Sequence, residues 1–157
     1  PKPGAIDCMA VNYMENGTLK EKPQINGFHK SPSAIIGNGD TMILPDVPAT
    51  IFEGEAELGL IIGKRASNVS ESDAMDHVFG YLNFIDGSAR GLPPDRNVFF
   101  QVKSRATFAP IGPFIVTADE IPDPQNLSVK LRVNGALKQD LHTNDMAHKI
   151  PTSFMDK

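Results

Sequence analysis

Three glutamates alternate along the apolar stretch that begins at Ile51. Glu53, Glu55 and Glu57 are each separated by one residue, and the stretch continues as Leu-Gly-Leu-Ile-Ile. In a β-strand all three carboxylates would lie on one face, about 6.5–7 Å apart. Buried charge without a partner is costly, and hard ions such as Mg²⁺, Mn²⁺ or Ca²⁺ prefer carboxylate oxygens. The row predicts either a divalent metal site or an exposed acidic edge strand that resists aggregation.

Two further charged residues lie next to apolar runs. Asp86 follows the run 81–85, and Lys103 precedes the run 109–116. A carboxylate at the end of an apolar strand is a common second component of a site. Taken singly, however, Asp86 is better explained as a turn cap and Lys103 as a solvated surface cation.

Composition narrows the class of protein. The chain has 157 residues and a mass of 17.0 kDa, which predicts one domain with a sizeable core. A net charge of -4 and a pI near 5.5 argue against a nucleic-acid partner. No apolar run approaches the roughly 20 residues of a membrane helix. The single cysteine, Cys8, cannot form an internal disulfide, which favours a cytoplasmic location and a small core residue.

Turn signals and hydrophobic patterning predict a chain that is mainly β. The expected strands are 5–12, 33–36, 41–44, 49–64, 81–85 and 109–116, with a hairpin over 127–140 around Asn134-Gly135. One clear helix is expected near 71–79, because Ser70 and Asp73 approximate a capping box before an apolar stripe. The fold class is therefore α+β, mainly β.

Taken together, these pieces resemble the fumarylacetoacetate hydrolase family. The matching motifs are Glu-Ala-Glu-Leu-Gly-Leu-Ile-Ile-Gly-Lys (55–64), Asp-Ala-Met-Asp-His-Val-Phe-Gly-Tyr (73–81), Asp-Gly-Ser-Ala-Arg (86–90) and Lys-Ser-Arg-Ala-Thr-Phe-Ala-Pro-Ile-Gly-Pro (103–113). Phe-His-Lys-Ser-Pro-Ser (28–33) and the Val-Asn-Gly hairpin with Gln139 agree in order and spacing. The resemblance covers essentially residues 3–151, and four ordered motifs rarely coincide by chance.

The resemblance implies a fold and a site. The fold would be the rolled mixed β-sheet of the family's C-terminal domain, which usually forms a homodimer. Glu55, Glu57 and Asp86 match the family's metal-binding carboxylates, so Mg²⁺ or Mn²⁺ is the expected cofactor. Lys103 matches a lysine beside the metal that faces the substrate oxygen, and we predict that Arg90 and Lys103 bind the substrate.

The implied function is that of a metal-dependent enzyme. It would act on a 2-oxo or β-dicarbonyl carboxylic acid through a metal-bound enolate, with neither a nucleic acid nor a membrane as partner. C–C bond hydrolysis, decarboxylation and isomerisation all pass through an enolate, so the metal site does not select among them. Catabolism of aromatic compounds is the expected setting. The alternative is a catalytically silent member of the family that still binds metal.

The departures from the family bear on the reaction. Asn16 stands where many members have a water-activating histidine, and an amide cannot take a proton near neutral pH. Glu15 is present beside it, and Glu53 replaces a histidine that often precedes the Glu-x-Glu pair, so both glutamates are candidate bases. The family's later strands and its pocket-closing loop are missing, so we expect residues 1–157 to be one partial catalytic domain.

Overall fold

The protein is described by a computed structural model that covers residues 3–93 and 99–154, with side chains for all of these except 153 and 154. The regular elements are β1 (Ile6–Met9), β2 (Gly27–Lys30), β3 (Ile35–Ile36), β4 (Ile51–Ile62), β5 (Val78–Arg90), α1 (Phe99–Lys103), β6 (Ala109–Thr117), β7 (Ser128–Val133) and β8 (Ala136–His142). Single 3₁₀ turns cover Glu15–Gly17, Pro32–Ala34, Ala74–His77, Ala118–Glu120, Thr143–Asp145 and Pro151–Phe154. The predicted class, α+β and mainly β, is confirmed.

Four strands form a mixed sheet in the order β3-β6-β5-β4. β3 pairs with β6 in parallel, with Ile35 opposite Ala109. β4 and β5 are antiparallel, since the Thr50 N–H donates to the Arg90 carbonyl at 2.8 Å where β4 begins and β5 ends. The long strand predicted over 49–64 is therefore confirmed as β4, and β5 extends well beyond the predicted run 81–85.

The chain forms two compact units. The first contains Pro1–Cys8, Gly27–Glu57 and Asn83–Pro113. Its most deeply buried side chains include Phe108, Ala109 and Ala89, each with 0% of its surface exposed. Phe52 on β4 meets Phe108 edge to face, with ring centroids 6.4 Å apart. This apolar layer covers the face of the strands opposite the charged side chains, because successive residues of a strand point to opposite faces.

The second unit contains Met9–Asn26, Leu58–Leu82 and Phe114–Lys157. Its hairpin β7–β8 turns at Asn134 and Gly135, whose φ angles of +50° and +79° suit the turn predicted from these two residues. Asn12 ties the two ends of this unit together through hydrogen bonds with the backbone carbonyl and N–H of His148 at 2.9 and 2.8 Å. None of the helices in the described residues has the length and apolar character needed to cross a bilayer.

The prediction of a helix near 71–79 is wrong. Only the 3₁₀ turn Ala74–His77 forms, and Val78 already begins β5. The Ser70 hydroxyl donates to the Asp73 carboxylate at 2.7 Å instead of capping a backbone N–H. The Gly63 N–H donates to the His77 carbonyl at 2.9 Å. Pairing of the strands therefore overrides the local helix propensity at this point. The strand predicted over 41–44 does not form either, and this segment is irregular.

Gly87 of β5 packs closely against Phe108 in the first unit. A Cβ atom there would lie 2.9–3.0 Å from three atoms of the fully buried Phe108, while the Gly87 N–H donates to the Phe108 carbonyl at 3.0 Å. We expect Gly87→Ala to lower the free energy of unfolding by about 1–3 kcal/mol, the usual effect of overpacking a core. Urea unfolding measures the change.

Gly4→Ala is the matched control, since nothing lies within 4 Å of its added methyl group. It should leave the urea midpoint nearly unchanged. Equal stability of the two variants would show that the β5 backbone can shift to make room.

Candidate active site

The charged side chains lie together on one face of β4 and β5 within the first unit. Glu53, Glu55 and Glu57 alternate along β4, as the sequence predicts, while Asp86 and Arg90 alternate along β5. Ser88, with 0% of its surface exposed, lies between Asp86 and Arg90 and donates from Oγ to Glu55 Oε2 at 3.2 Å. Antiparallel pairing therefore brings the carboxylates of two strands together.

Asp86 is the most buried carboxylate of this face, with 8% of its side chain exposed. Its Oδ1 accepts from Lys30 Nζ at 2.6 Å and its Oδ2 from Lys103 Nζ at 2.6 Å. Both lysine side chains are also buried, at 0% and 6% exposed. Burial lowers the pKa of Lys30, and the charge of Asp86 opposes that shift. Asp86 is thus held by two charge-assisted hydrogen bonds, one at each oxygen.

Glu55 and Asp86 share the Lys103 ammonium. Lys103 Nζ donates to Glu55 Oε2, and Arg90 donates to Glu55 Oε1. Burial acts to raise the pKa of Glu55, but the hydrogen bond and charge of Lys103, with the charge of Arg90, outweigh burial and lower this pKa. Glu55 is therefore ionised at neutral pH and bridges two cations.

Glu53 is bound to Arg90, whose Nε donates to Glu53 Oε2. More than a third of each of these two side chains is exposed, so their ion pair is partly screened by water. Arg90 lies between Glu53 and Glu55 and holds both, while the predicted substrate-binding role of Arg90 and the predicted basic role of Glu53 remain predictions. In this arrangement Glu53 stabilises the orientation of Arg90.

Glu57 differs from the other carboxylates. Among the described residues it has no hydrogen bond or ion pair with a cation. Burial raises the pKa of Glu57 to about 7, the negative charges of Glu55 and Asp86 add to the rise, and only the charge of Lys103 opposes it. The face holds four carboxylates against three cations (Lys30, Arg90, Lys103), and the excess negative charge falls on Glu57.

Lys103 is the last residue of α1, and aromatic packing positions its side chain. Phe99 at the start of α1 stacks on Phe28 of β2, with ring centroids 4.9 Å apart. The Lys103 ammonium lies 5.4 Å from the centre of the Phe28 ring, within range of a cation–π contact. The following residue, Ser104, accepts the Ser31 N–H at 2.7 Å. These contacts aim the ammonium at Glu55 and Asp86.

Glu15 and Asn16 belong to the second unit. Both are exposed and adopt positive φ angles of +52° and +56°. The Asn16 N–H donates to Asp145 Oδ2 at 2.9 Å, and Thr18 Oγ1 donates to Glu15 Oε2 at 3.4 Å. The structure therefore brings together six of the seven predicted site residues in the first unit, and describes Glu15 separately.

Two side chains of this face were missed as site residues. Lys30 lies in the motif Phe-His-Lys-Ser-Pro-Ser, and Ser88 lies in Asp-Gly-Ser-Ala-Arg. Both motifs contribute to the family resemblance, but the sequence predicts no site role for these two residues. Pairing of β1 with β2 also places Cys8 within the field of Asp86 and Lys30. Burial, followed by the charge of Asp86, raises the pKa of the Cys8 thiol to about 12, which favours the neutral thiol at physiological pH.

Comparison with known proteins identifies the family. The family model described as fumarylacetoacetate (FAA) hydrolase C-terminal matches residues 5–154. The chain belongs to the fumarylacetoacetate hydrolase family. The resemblance noted in the sequence is therefore confirmed. The charged face of β4 and β5 carries the Glu-Ala-Glu and Asp-Gly-Ser-Ala-Arg motifs on which the resemblance rests, and both lie within the matched residues.

Individual relatives within the fumarylacetoacetate hydrolase family carry different activities. The mitochondrial oxaloacetate tautomerase fahd2 of Xenopus laevis is 40% identical over 94% of this chain and 47% of its own length. Maleylpyruvate hydrolase of Sphingobium sp. SYK-6, solved with manganese(II) and pyruvate, is 39% identical with a TM-score of 0.85 over 99% of this chain and 54% of its own. A 2-hydroxyhepta-2,4-diene-1,7-dioate isomerase of Mycobacterium marinum has 30% identity and a TM-score of 0.80 over 98% and 57%. The chain spans about half the length of these relatives.

The donor set of the face fits a divalent cation of the family. Among residues 3–93 and 99–154, no three His, Cys, Asp or Glu side chains stand in ligating geometry, and the Lys103 ammonium lies against Glu55 and Asp86. Nevertheless, Glu55 Oε2 and Asp86 Oδ2 converge on that one positive group, and burial and the charges of these two carboxylates raise the pKa of Glu57, which has no cation partner of its own among these residues. Hard oxygen donors with excess negative charge suit Mg²⁺ or Mn²⁺. Glu55, Glu57 and Asp86 would hold the ion.

We expect Mn²⁺ to raise the melting temperature of the protein and Glu57→Gln to abolish most of this rise, because a bound ion stabilises the folded state by mass action. Thermal unfolding with EDTA and with millimolar Mn²⁺ measures it. The rise should grow as the pH increases through about 7, since Glu57 must lose its proton to bind the ion.

In EDTA, the raised pKa of Glu57 favours folding fully below about pH 4.5, and this contribution to the free energy of unfolding is lost as the pH rises through about 7. The loss is at most roughly 3 kcal/mol.

Glu53→Gln is the matched control on the same strand face. Because Glu53 is bound to Arg90, this variant should keep most of the Mn²⁺-induced rise. Melting temperatures that are equal in EDTA and in Mn²⁺ would contradict the assignment of metal ligands.

Proposed function

We propose that the protein is a divalent-metal-dependent enzyme that acts on a 2-oxo or β-dicarbonyl carboxylic acid through an enolate. The observation that carries this proposal is the buried arrangement of Lys103 against Glu55 and Asp86 beside the uncompensated Glu57. Carboxylates in such excess suit a metal ion, and a buried ammonium suits a substrate oxygen that becomes negative. The relatives named above include a tautomerase, a hydrolase and an isomerase, which supports a shared enolate and leaves the subtype open.

The division of labour follows from the charges. A divalent cation at Glu55, Glu57 and Asp86 supplies Lewis acidity towards the substrate's carbonyl oxygens. Lys103 is held with 6% of its side chain exposed, so its charge acts through a poorly screened environment. Its ammonium donates to the oxygen that becomes negative when the C3 proton or the C3–C4 bond of the substrate is lost.

Arg90 is the second candidate for contact with substrate. About a third of its side chain is exposed, and two glutamates hold it on the charged face. A guanidinium so anchored can donate its remaining N–H groups to a substrate carboxylate in a fixed orientation. Glu53 would then position Arg90, and would act as a base only where Arg90 releases it.

Proton transfer needs a base as well as an electrostatic site. Glu53 and Glu15 are the candidates, and neither has the histidine partner that the resemblance implies. Because Asn16 cannot accept a proton, enolate formation alone is the reaction that these residues serve best. We therefore propose that isomerisation or decarboxylation exceeds C–C hydrolysis.

A catalytically silent, metal-binding family member is the second candidate. The observation that favours it is the amide of Asn16, exposed on a 3₁₀ turn at the position expected for a base. Such a protein would show the Mn²⁺-dependent rise in melting temperature and no turnover.

The proposal of an enzyme also includes homodimerisation, a cytoplasmic location and a role in aromatic catabolism. The dienedioate isomerase among the relatives supports the last of these.

Lys103→Met should lower kcat by about 10²-fold or more, as the loss of one oxyanion-stabilising group typically does. Mn²⁺ binding should survive and tighten, because an ammonium that shares Glu55 and Asp86 is removed. Steady-state kinetics and Mn²⁺ titration calorimetry measure both effects.

Lys130→Met is its control, since Lys130 pairs with Asp140 at 3.3 Å on the exposed hairpin. That variant should retain wild-type kinetics. A Lys103→Met enzyme with undiminished kcat would return Lys103 to a purely structural role.

The reaction subtype can be tested with a panel of acylpyruvates, oxaloacetate and unsaturated 2-oxo diacids in Mg²⁺ or Mn²⁺, followed by enol absorbance. We expect activity on oxaloacetate or on an unsaturated diacid to exceed acylpyruvate hydrolysis by about 10²–10⁴-fold, the usual contribution of a general base. Asn16→His, with Glu15 beside it, should raise hydrolysis selectively.

Asn16→Gln changes the same side chain without adding a base and should leave hydrolysis low. If the unmodified protein hydrolyses acylpyruvates as fast as it converts oxaloacetate, another group activates water and Asn16 does not limit hydrolysis. No turnover with any substrate, together with Mn²⁺ binding, would favour the silent member.

A further inference from the structure

Lys30 is a fully buried cation with two partners on β5. Its Nζ lies 2.6 Å from Asp86 Oδ1 and donates to the Gly87 carbonyl at 3.0 Å, while 0% of its side chain is exposed. The Gly87 N–H is itself bound to the Phe108 carbonyl at 3.0 Å. The ammonium is therefore fixed to the backbone of the strand that carries Asp86, and it cannot follow the carboxylate if the carboxylate turns.

The two oxygens of Asp86 face different surroundings. Oδ1 is occupied by Lys30, whereas Oδ2 shares the Lys103 ammonium with Glu55 Oε2. Oδ2 is consequently the oxygen that points towards the other candidate ligands. For Asp86 to bind an ion through both oxygens, Oδ1 would have to give up an ammonium that is held in place by Gly87.

Resting on the proposed function, we propose that Lys30 is a positioning residue that restricts Asp86 to one-oxygen coordination of the divalent ion. Mg²⁺ demands octahedral geometry with single oxygens, whereas Ca²⁺ takes six to eight oxygens and often binds both oxygens of a carboxylate. Lys30 therefore favours a small octahedral ion over Ca²⁺. This is a specificity-determining role for a side chain that touches neither the ion nor the substrate.

Removal of Lys30 separates this role from a simple effect of charge. If Lys30 acted only as a positive neighbour, Lys30→Met would bind cations more tightly, because a repulsive charge would be gone. If it positions Asp86, Lys30→Met should weaken Mn²⁺ binding by about 10–100-fold, the usual cost of losing a partner that orients a ligand. Ca²⁺ affinity should fall less, so the preference for Mn²⁺ over Ca²⁺ shrinks.

The experiment is calorimetric titration of Mn²⁺ and Ca²⁺ into the wild type, Lys30→Met and Lys130→Met. Lys130→Met loses a lysine from an exposed ion pair and should match the wild type for both ions. Unchanged or tighter Mn²⁺ binding in Lys30→Met, or an equal loss for both ions, would overturn the inference. Failure of the wild type to bind either ion would instead overturn the proposed function, and the inference with it.

Chemical rescue decides the question if Lys30→Met does not fold. A cavity of about 280 Å³ lies beside Lys30 and is also lined by His29, Ser31 and Phe100, so an additive in it would lie next to the residue changed in Lys30→Ala. Butylammonium should restore fold and Mn²⁺ preference in that variant, and butanol of the same size should restore fold at most. Equal Mn²⁺ preference with the two additives would show that Lys30 only fills volume. Failure of butylammonium to restore the preference in a variant that has regained its fold would overturn the inference.

Discussion

The Asp86 carboxylate, buried between two lysines, is the constraint on which the charged face depends. Removing this ion from water carries a large desolvation cost, which is offset only when both oxygens meet well-placed cations. Lys30 comes from β2 and Lys103 from the end of α1, so β5 is tied to two neighbouring elements. The first unit is therefore organised around a charge as much as around its apolar layer.

Strand geometry explains why the charges accumulate. Alternation in β4 and β5 puts carboxylates on one face, and neither strand can supply enough cations from its own positions. Arg90 comes from the same face, whereas both lysines must come from other elements. Within the part of the chain that the structure describes, the carboxylates of this face outnumber its cations by one, and Glu57 is the carboxylate without a cation partner. A site that is short of one positive charge is ready to bind a cation, whereas a fully compensated one would be a structural network.

The proposed metal site and the residues proposed to decide the reaction belong to different units of the chain. The carboxylates and lysines belong to the first unit, where β-sheet pairing and buried ion pairs hold them. Glu15 and Asn16 belong to the second unit, on an exposed turn with left-handed backbone. Exposed turns accept substitution more readily than buried ion pairs do. The relatives of this chain include a tautomerase, a hydrolase and an isomerase.

The sequence by itself determined the features that depend on local periodicity. These are the alternation of Glu53, Glu55 and Glu57 on one strand, the hairpin turn at Asn134 and the ordered motifs that mark the family. Only the tertiary structure decided that residues 74–77 form a short turn before β5, since strand pairing competes with helix propagation there. Only the tertiary structure revealed the bond between Lys30 and Asp86, which lie 56 residues apart. No local pattern records such a contact, because it arises when two distant strands bring their side chains to the same buried face.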